Sequence, residues 1–313
     1  MRIIDLNQIK KSLESIDVIS AIEEGFVAYS KGCCVVPPVG ELLFDTPSGE
    51  VHIKSGYIKG DDYYVIKIAS GFYNNQVLSL PSSNGVMMLF SQHTGELLTF
   101  FLDEDYLTNV RTAVAGAIAA KYLAPTKVRC IGIIGTGFQA RLQLRYLQSI
   151  IPCKHVMVFG RNHKNLIQFQ DNMQKAGFHV RITQNLDHLT LTCNFIVTTT
   201  PSKKPILFAK NIRPGTHITA IGADTIDKQE LDVSVLGLAD LVVVDSVAQS
   251  LERGDTAHAI REKIICKDSL IELGQVISNK TVGRMNDTQI TIADLTGLAV
   301  QDLQIAKKIH EIV

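Results

Sequence analysis

The chain has 313 residues, in which 31 Lys and Arg balance 31 Asp and Glu. This length exceeds the usual size of a single hydrophobic core, so we expect two domains. The balanced charge creates no long-range field for nucleic acid or an anionic membrane. Since no apolar run approaches the ~18 residues of a membrane span and the start lacks a signal-peptide core, we expect a cytoplasmic protein that does not enter a membrane.

The cysteine pattern predicts free thiols. None of the six cysteines forms a CxxC pair, and Cys130 and Cys193 fall in apolar runs that are typical of buried strands. This pattern favours a reducing compartment, without disulfides or a metal site. The six positions are 33, 34, 130, 153, 193 and 266.

The first third of the chain predicts an amphipathic helix followed by an antiparallel sheet. Apolar residues recur at helical spacing over residues 13–31, and Pro37-Pro38 prevents the helix from continuing. An Ala-rich helix is predicted over 107–123, with Thr108 as its N-cap. Short alternating runs separated by turn residues predict the strands between these helices. These strands are 41–44, 51–56, 63–69, 85–91 and 96–101.

The centre of the chain alternates strands and helices, which is typical of a Rossmann-type doubly wound parallel sheet. The fold class is therefore α/β, with a second α+β domain that contains the antiparallel sheet. The predicted central strands are 128–134, 155–159, 179–182, 194–199, 216–221 and 241–244. The predicted helices among them are 138–149, 162–176, 186–190 and 228–236. Later elements are helices at 246–253, 269–277 and 299–312, and a strand at 289–293.

A glycine-rich turn follows the first of these central strands. Gly135-Thr136-Gly137-Phe138-Gln139-Ala140 joins the apolar run 130–134 to the next helix. Gly135 permits a tight turn, Gly137 lets backbone approach a pyrophosphate, and Ala140 lets the helix pack closely on the strand. The helix directs its N-terminal amides at the phosphates. The strand before and the helix after indicate a dinucleotide site rather than a structural turn.

Arg161 bears on which dinucleotide binds. NAD-preferring folds usually carry Asp or Glu at the end of the second strand, and Arg161 stands near that position, followed by Asn162 and Lys164. A guanidinium there can bind a 2′-phosphate, with Lys164 adding charge, so we predict NADP(H). Alternatively, Arg161 stacks on the adenine and permits NAD(H) as well.

Polar residues in otherwise apolar surroundings suggest a substrate site. Lys67 interrupts a strand with apolar neighbours, and burying its charge requires an anion. Arg111 lies in the Ala-rich helix, where its guanidinium suits a carboxylate. Asp224 follows a parallel strand at the carboxyl end, where open α/β sheets place reactive groups. His52 and Lys54 share one face of a strand.

Each of these residues also has a structural interpretation. Lys67 and Lys54 could extend to solvent from an edge strand. Arg111 could pair with Asp103 or Glu104, and Asp224 could cap the loop before the 228–236 helix. The residues form one site only if the two domains face each other.

Several long motifs resemble the ornithine cyclodeaminase and mu-crystallin family, which includes alanine dehydrogenases and ketimine or iminosuccinate reductases. The resemblance covers essentially the whole chain. Besides Lys67 and GTGFQA at 135–140, the motifs are VRTAVAGAIAAKYLAP at 110–125, TTTPSKKPIL at 198–207, AIGADTIDKQELD at 220–232 and DLTGLAVQD at 294–302.

The resemblance implies roles for these residues. Lys67 and Arg111 would hold a substrate carboxylate, and Asp224 would move a proton at nitrogen or activate water. Residues 1–120 with 298–313 would form a substrate-binding and dimerisation domain of a homodimer, and 121–297 would form the NAD(P)-binding domain. Cofactor contacts are predicted at Gly135, Thr136, Gly137, Phe138, Gln139, Ala140, Arg161, Asn162, Lys164, Thr199, Thr200, Pro201 and Gly222.

The sequence departs from the family pattern at one carboxylate ligand. Many members carry an Arg shortly after the prolines, whereas here Pro38-Val39 leads into Gly40-Glu41. Lys54 would have to replace that ligand. Because His52 and Lys54 have no obvious carboxylate beside them, we expect an anionic or neutral substrate rather than ornithine. Glu41 is the residue that could reverse this argument.

These observations predict an NAD(P)-dependent enzyme that transfers hydride at the carbon–nitrogen bond of a small amino or imino acid, iminosuccinate being a concrete candidate. The alternatives are an ornithine cyclodeaminase, without net redox change, and a non-catalytic NADP-binding protein like mu-crystallin.

Overall fold

The computed structural model describes residues 1–279 and 282–313, and it divides the chain into two compact units. The first unit contains Met1–Arg111 and Leu298–Val313, and the second contains Thr112–Gly297. The roles of the two units in substrate binding, dimerisation and dinucleotide binding remain predictions. None of the helices in the described ranges is long and apolar enough to cross a membrane.

The described α-helices vary in length from four to eighteen residues. In chain order they are α1 (Leu6–Leu13), α2 (Val18–Ser30), α3 (Tyr106–Leu123), α4 (Phe138–Leu147), α5 (His163–Lys175), α6 (Leu186–Thr192), α7 (Val233–Gly237), α8 (Val247–Ser250), α9 (Asp255–Arg261), α10 (Leu273–Ser278) and α11 (Ala299–Ile312). Short 3-10 helices are found at Tyr73–Leu78, Ala209–Asn211 and Lys267–Ser269.

The described strands form two sheets. In chain order they are β1 (Arg2–Asp5), β2 (Cys34–Val35), β3 (Gly40–Asp45), β4 (Ser48–Ile58), β5 (Tyr63–Gly71), β6 (Ser83–Ser91), β7 (Leu97–Leu102), β8 (Ile131–Ile134), β9 (His155–Phe159), β10 (His179–Thr183), β11 (Phe195–Thr198), β12 (His217–Ala220), β13 (Leu241–Val244), β14 (Leu270–Glu272) and β15 (Thr291–Asp294).

The first unit is built on a mostly antiparallel sheet. Its order is β1-β7-β6-β5-β4-β2, with β3 paired to β4, and only the β1–β7 pair among these strands is parallel. One face buries Val65, Met87 and Leu89, and α11 packs on strands β4 to β6. Helix α2 packs closely on α11, because a Cβ at Gly25 would lie 3.0 Å from Cγ of Gln304.

The second unit is built on a parallel sheet in the order β10-β9-β8-β11-β12-β15-β13-β14. Strands β8 and β11 begin the two halves of the sheet and lie side by side. The carboxyl ends of β8 and β11 therefore form the topological switch point at which such sheets bind ligands. Each of the four residues of β8, and each of β11, is buried, as expected for strands covered on both faces.

The predicted fold class is confirmed, because a parallel sheet and a mixed, largely antiparallel sheet are both present. The predicted helix at 228–236 is wrong over its first half, since α7 begins at Val233. Residues 230 and 231 are instead extended, because their amides donate to Asp255 Oδ1 at 2.7 and 2.8 Å and Leu231 pairs with Leu207.

Candidate active site

Lys67 lies on the buried face of β5 in the first unit. It is only 2% exposed, and its ammonium Nζ lies 3.3 Å from Oδ2 of Asp302 on α11. Burial lowers the pKa of Lys67, and the nearby Arg111 lowers it further, whereas Asp302 opposes both effects. The alternative that Lys67 extends to solvent is therefore wrong, because the anion that its burial requires is Asp302.

Arg111 shares this carboxylate. Its Nε lies 3.1 Å from Oδ1 of Asp302, and its Nη1 donates to Oε1 of Gln301 at 3.0 Å. The alternative of a pair with Asp103 or Glu104 is not what the structure shows, since α11 supplies the partners. The guanidinium has five N–H donors, so these two contacts leave capacity for a further oxygen ligand.

Lys54 lies beside Lys67. The two residues are opposite each other in the β4–β5 register, so their side chains share a face, and Lys54 is 7% exposed. The alternative that Lys54 extends to solvent is wrong as well. Like charges directly opposite destabilise a sheet. Lys54 therefore adds a third buried basic side chain beside Lys67 and Arg111, which share Asp302, and such a group is suited to an anionic ligand.

The surroundings of His52 differ from the expected charge pattern. Its Nδ1 lies 3.3 Å from Oε1 of Glu41, and its Nε2 lies 3.7 Å from Oε1 of Glu50. The expectation that no carboxylate lies beside His52 and Lys54 is wrong, because β3 brings Glu41 opposite His52 and Glu50 lies two residues along the same strand. Glu41 does weaken the argument for an anionic substrate side chain.

Two further carboxyl groups of this unit are buried: Asp103, which the sequence suggested only as a possible partner of Arg111, and Asp105, which it did not single out. Burial raises the pKa of Asp103 to about 7, although the amide of Leu107 donates to its Oδ2 at 2.9 Å. Burial also raises the pKa of Asp105, against the opposing charge of Lys67. Both residues precede α3 in a segment whose polar residues are typical of an exposed turn. The composition of this segment therefore gave no sign that the two carboxyl groups are buried.

In the second unit, the glycine loop turns tightly at Gly135 and is open at Gly137. Gly135 has φ +117°, and a Cβ there would lie 2.5 Å from Oγ1 of Thr199. Gly137 is the N-cap of α4, makes no side-chain cap hydrogen bond and has nothing within 4 Å of its Cβ position. The first-turn amides of α4 are therefore open to an anion such as pyrophosphate.

The remaining loop residues differ in burial. Ala140 is fully buried against the sheet, as predicted for close helix packing. Phe138 is 47% exposed, and Gln139 accepts a hydrogen bond from Gln143 at 3.4 Å. The backbone oxygen of Thr136 accepts a hydrogen bond from Arg141 at 2.9 Å, which fixes the loop on α4.

The segment after β9 presents exposed cations. Arg161 and Lys164 are exposed, and the backbone oxygen of Arg161 accepts from Nε2 of Gln184 at 2.9 Å. Asn162 has a structural function, because its Oδ1 caps α5 by accepting from the amide of Asn165 at 3.2 Å. The side chain of Arg161 is thus available to a ligand.

A buried carboxyl, missed from the sequence, organises two loops at the carboxyl edge. Glu230 accepts hydrogen bonds from the Thr200 amide at 2.5 Å and from the Thr198 hydroxyl at 2.7 Å. It also accepts from the Gly222 amide at 2.8 Å. Burial raises its pKa to about 7. Glu230 therefore joins the loop of Thr199, Thr200 and Pro201 to the loop that leads to Asp224.

Asp224 lies after β12 and faces a lysine. Its Oδ1 is 2.8 Å from Nζ of Lys228, and its backbone oxygen accepts from Arg253 at 3.3 Å. The N-cap of α7 is Asp232, and Asp224 instead contacts Lys228 in the loop before that helix, so the alternative of a structural role in this loop stays open. The Asp224 side chain remains partly exposed, at 39%, so it is accessible to a ligand. The spacing of four residues gave no sign of this pair, because such a spacing brings side chains together only within a helix and residues 224–228 form none.

The sequence model of the ornithine cyclodeaminase/mu-crystallin family matches residues 2–313. The chain belongs to this family. The predicted resemblance is thus confirmed over nearly the whole length. Family membership also places the chain among NAD(P)-dependent oxidoreductase-like proteins, whose members include both reductases and cyclodeaminases.

Three curated relatives show how varied the activities are. An uncharacterized cyclodeaminase of Sinorhizobium fredii is 38% identical over 93% of this chain and 89% of its own. The alanine dehydrogenase of Archaeoglobus fulgidus is 36% identical over 96% and 92% of the two chains. The iminosuccinate reductase of Paracoccus denitrificans is 34% identical over 78% and 75%.

Two solved structures share the whole fold. An archaeal alanine dehydrogenase dimer with bound NAD is 33% identical, with a TM-score of 0.91 over 99% of this chain and 95% of that one. The Δ1-pyrroline-2-carboxylate reductase of Thermococcus litoralis, in complex with NADH and L-proline, is 27% identical. Its TM-score is 0.93, over 99% and 97% of the two chains.

Proposed function

We propose that this protein is an NAD(P)-dependent imino-acid reductase, or an amino-acid dehydrogenase in the reverse direction. The observation that carries the proposal is the buried contact of Lys67 and Arg111 with Asp302, with Lys54 buried opposite Lys67 in the sheet. A cationic group of this kind is suited to the α-carboxylate that every amino and imino acid has. The alanine dehydrogenase and iminosuccinate reductase relatives support this choice.

The second unit would hold the cofactor. The backbone of Gly135, Thr136 and Gly137 and the first turn of α4 would bind the pyrophosphate, with Arg161 and Lys164 at the adenosine ribose. Thr199, Thr200, Pro201 and Gly222 would line the nicotinamide end, where Glu230 holds both loops. The nicotinamide, when bound, supplies or accepts a hydride.

The side chains of the protein bind the substrate, orient it and exchange a proton with it. Lys67 and Arg111 fix the substrate carboxylate, so the α-carbon is presented in one orientation. Asp224 exchanges a proton with the substrate nitrogen, and Lys228 keeps its carboxylate in place through the 2.8 Å contact. In the proposed reaction, the side chains of this protein therefore bind the substrate and transfer a proton.

Iminosuccinate is the first substrate to test, because Lys54 supplies a third cation for a second carboxylate. The cyclodeaminase reaction is the second candidate, and the position of Glu41 and Glu50 around His52 favours it. Carboxylates at that place could bind the distal ammonium of ornithine. The two candidates differ in net redox change, since a cyclodeaminase regenerates its cofactor in each cycle.

The absorbance of the reduced nicotinamide separates these functions. The purified protein is incubated with NADPH or NADH, ammonia and oxaloacetate or pyruvate, and in parallel with NAD(P)⁺ and L-ornithine. Net oxidation of the cofactor with the keto acids supports the reductase. Proline and ammonia formed without net redox change would instead establish the cyclodeaminase, and cofactor binding without turnover would establish a binding protein.

We also propose that NADP(H) is preferred because of Arg161. Replacing it by aspartate, in Arg161→Asp, removes the phosphate ligand and adds repulsion, so KM for NADPH should rise by about tenfold or more while KM for NADH changes little. The control Arg213→Asp changes an exposed arginine at the opposite, amino end of β12. Equal effects on both cofactors would show that Arg161 does not select the phosphate.

A homodimer is proposed as the functional form, in line with the dimeric alanine dehydrogenase. Strand β3 exposes Leu42 and Phe44 on one face and Leu43 on the other, and exposed apolar side chains of this kind suit a protein partner. Light scattering should give twice the mass of the chain, and a monomer in solution would contradict the proposal.

A further inference from the structure

A cationic pocket lies in the second unit at the amino ends of β8, β9 and β10, away from the glycine loop at their carboxyl ends. Its volume is about 450 Å³, and the side chains that line it include Arg129, Cys130, His155, His179 and Arg181. None of its lining residues, all of which belong to the described chain, is acidic. The pocket therefore favours negative charge on the single thiol that lines it.

Cys130 lines this pocket because of the register between β8 and β9. His155 pairs with His179, and Ile131 pairs with Val156, so Cys130 is level with His155. Residues that are level on adjacent strands point to the same face. Cys130 is partly exposed, and small reagents can reach it through the pocket.

Cys193 lies next to Cys130, although 63 residues separate them in sequence. Phe195 pairs with Ile131, so Cys193 is one residue out of register with Cys130. A strand separation of about 4.8 Å and a rise of about 3.3 Å place the two Cα atoms roughly 6 Å apart, which suits a disulfide. Cys193 also points to this face, because a Cβ at Gly132 would lie 3.1 Å from its Cβ.

The hydrogen bond between the two thiols makes them unequal. The pKa of Cys130 is lowered, mainly by the hydrogen bond with Cys193 and further by the charge of Arg181. The pKa of Cys193 is raised by the same hydrogen bond and by burial. Cys130, which lines the cationic pocket, is therefore the thiol that an oxidant reaches first, and the buried Cys193 lies behind it. A third thiol, that of Cys153, donates hydrogen bonds to the carbonyls of Arg129 and His155, at 3.5 and 3.6 Å.

We propose that Cys130 is an oxidant-reactive thiolate and that Cys193 is its resolving partner, so that the pair forms a reversible disulfide. With hydrogen peroxide, the Cys130 thiolate attacks one oxygen. A sulfur–oxygen bond forms, the oxygen–oxygen bond breaks, and the leaving hydroxide takes a proton to become water. The sulfur of Cys193 then attacks that of Cys130, a second hydroxide leaves, and it takes the Cys193 proton. The two thiols lose two electrons, and one peroxide becomes two waters.

Peptide mapping of the wild-type protein tests the proposal directly. Trypsin places the three thiols on separate peptides, 130–141, 146–154 and 182–203. After brief peroxide treatment and alkylation of the remaining thiols, we expect a linked pair of peptides 130–141 and 182–203. Dithiothreitol should restore both peptides. Oxidation of the exposed Cys33 or Cys266 before Cys130, or a link between Cys130 and Cys153, would overturn the assignment.

Variants separate the two roles. In Cys193→Ala, the Cys130 sulfenic acid should persist and react with dimedone, whereas Cys130→Ser should leave Cys193 reduced. The control Cys153→Ala should retain the wild-type link. Dimedone labelling of Cys193 in Cys130→Ser, at the rate seen for Cys130, would contradict the proposed order of attack. The peptide map of the wild-type protein shows which cysteines become linked even if a variant fails to fold.

Discussion

Among single residues, Asp224 is the one proposed to exchange a proton with the substrate. A carboxylate held at 2.8 Å by a lysine and still 39% exposed can exchange protons with a ligand without losing its orientation. The sequence alone could identify Asp224, Lys67 and Arg111 as candidate site residues, because a charged side chain in an apolar segment is unusual.

Asp224→Asn preserves the size of the side chain but removes its ability to transfer a proton. We expect kcat to fall by about 100-fold or more, since general acid–base catalysis contributes roughly 10² to 10⁴. NADPH binding, measured by fluorescence titration, should not change. The control Asp227→Asn alters an exposed carboxylate, paired with Lys203, and should retain normal turnover. Equal kcat in Asp224→Asn and wild type would remove Asp224 from the mechanism.

At the scale of secondary-structure elements, helix α11 completes the buried charge group of the first unit. Its Asp302 is fully buried and is shared by Lys67 on β5 and Arg111 on α3. Because 190 residues or more separate these partners, sequence spacing could not predict the pairing. Only the motif that ends in Asp302 gave a sign that this segment matters.

Asp302→Asn should destabilise the first unit strongly. It leaves two buried cations without their shared anion, and breaking a buried pair costs roughly 3–5 kcal/mol. The matched control on the same helix is Glu311→Gln, which removes an exposed pair with Lys308 and should cost less than about 1 kcal/mol. Urea unfolding measures both changes. Similar losses in the two variants would show that the Asp302 contacts contribute little.

Strand and helix periodicity predicted most elements of both sheets, because buried faces impose a regular apolar pattern. It missed α1, although Leu6, Ile9 and Leu13 recur at helical spacing, because a helix of eight residues gives only a short pattern and begins at the capping box of Asp5 and Gln8. It also misplaced the helix before Val233, where the buried Asp255 holds the backbone extended through contacts that are distant in sequence. Local patterns therefore gave the elements, while the long-range polar contacts of Asp302, Glu230 and Asp255 needed the structure.

At the scale of the whole molecule, both units bury carboxyl groups whose protonated form is favoured in the folded state. Burial raises the pKa to about 7 for Asp103 in the first unit and for Glu230 and Asp294 in the second. Ordinary values are 3.8 for Asp and 4.5 for Glu. Between the unfolded and folded values, the folded state holds more protons than the unfolded state, so stability falls as pH rises.

These carboxyl groups should lower the free energy of unfolding from about pH 4 to pH 7, against the buried His217, whose pKa is lowered to about 3 and whose effect has the opposite sign. The variant Asp103→Asn keeps an oxygen that can accept from the Leu107 amide, and it has no proton to lose. Relative to wild type, it should gain up to about 4 kcal/mol over that window. Urea unfolding at pH 4, 5, 6, 7 and 8 checks the trend. A constant difference across these pH values would show that Asp103 is ionised in the folded state.

The proposed function concerns both units, because one is proposed to bind the substrate carboxylate and the other the cofactor. Transfer of a deuterium label from C4-deuterated NADPH, with oxaloacetate or pyruvate and ammonia as substrates, tests this most directly. Mass spectrometry should find one deuterium on the α-carbon of the amino acid formed, in proportion to the cofactor oxidised. Oxidised cofactor without label in the amino acid, or unlabelled proline from ornithine as the only product, would contradict hydride transfer to an imino acid.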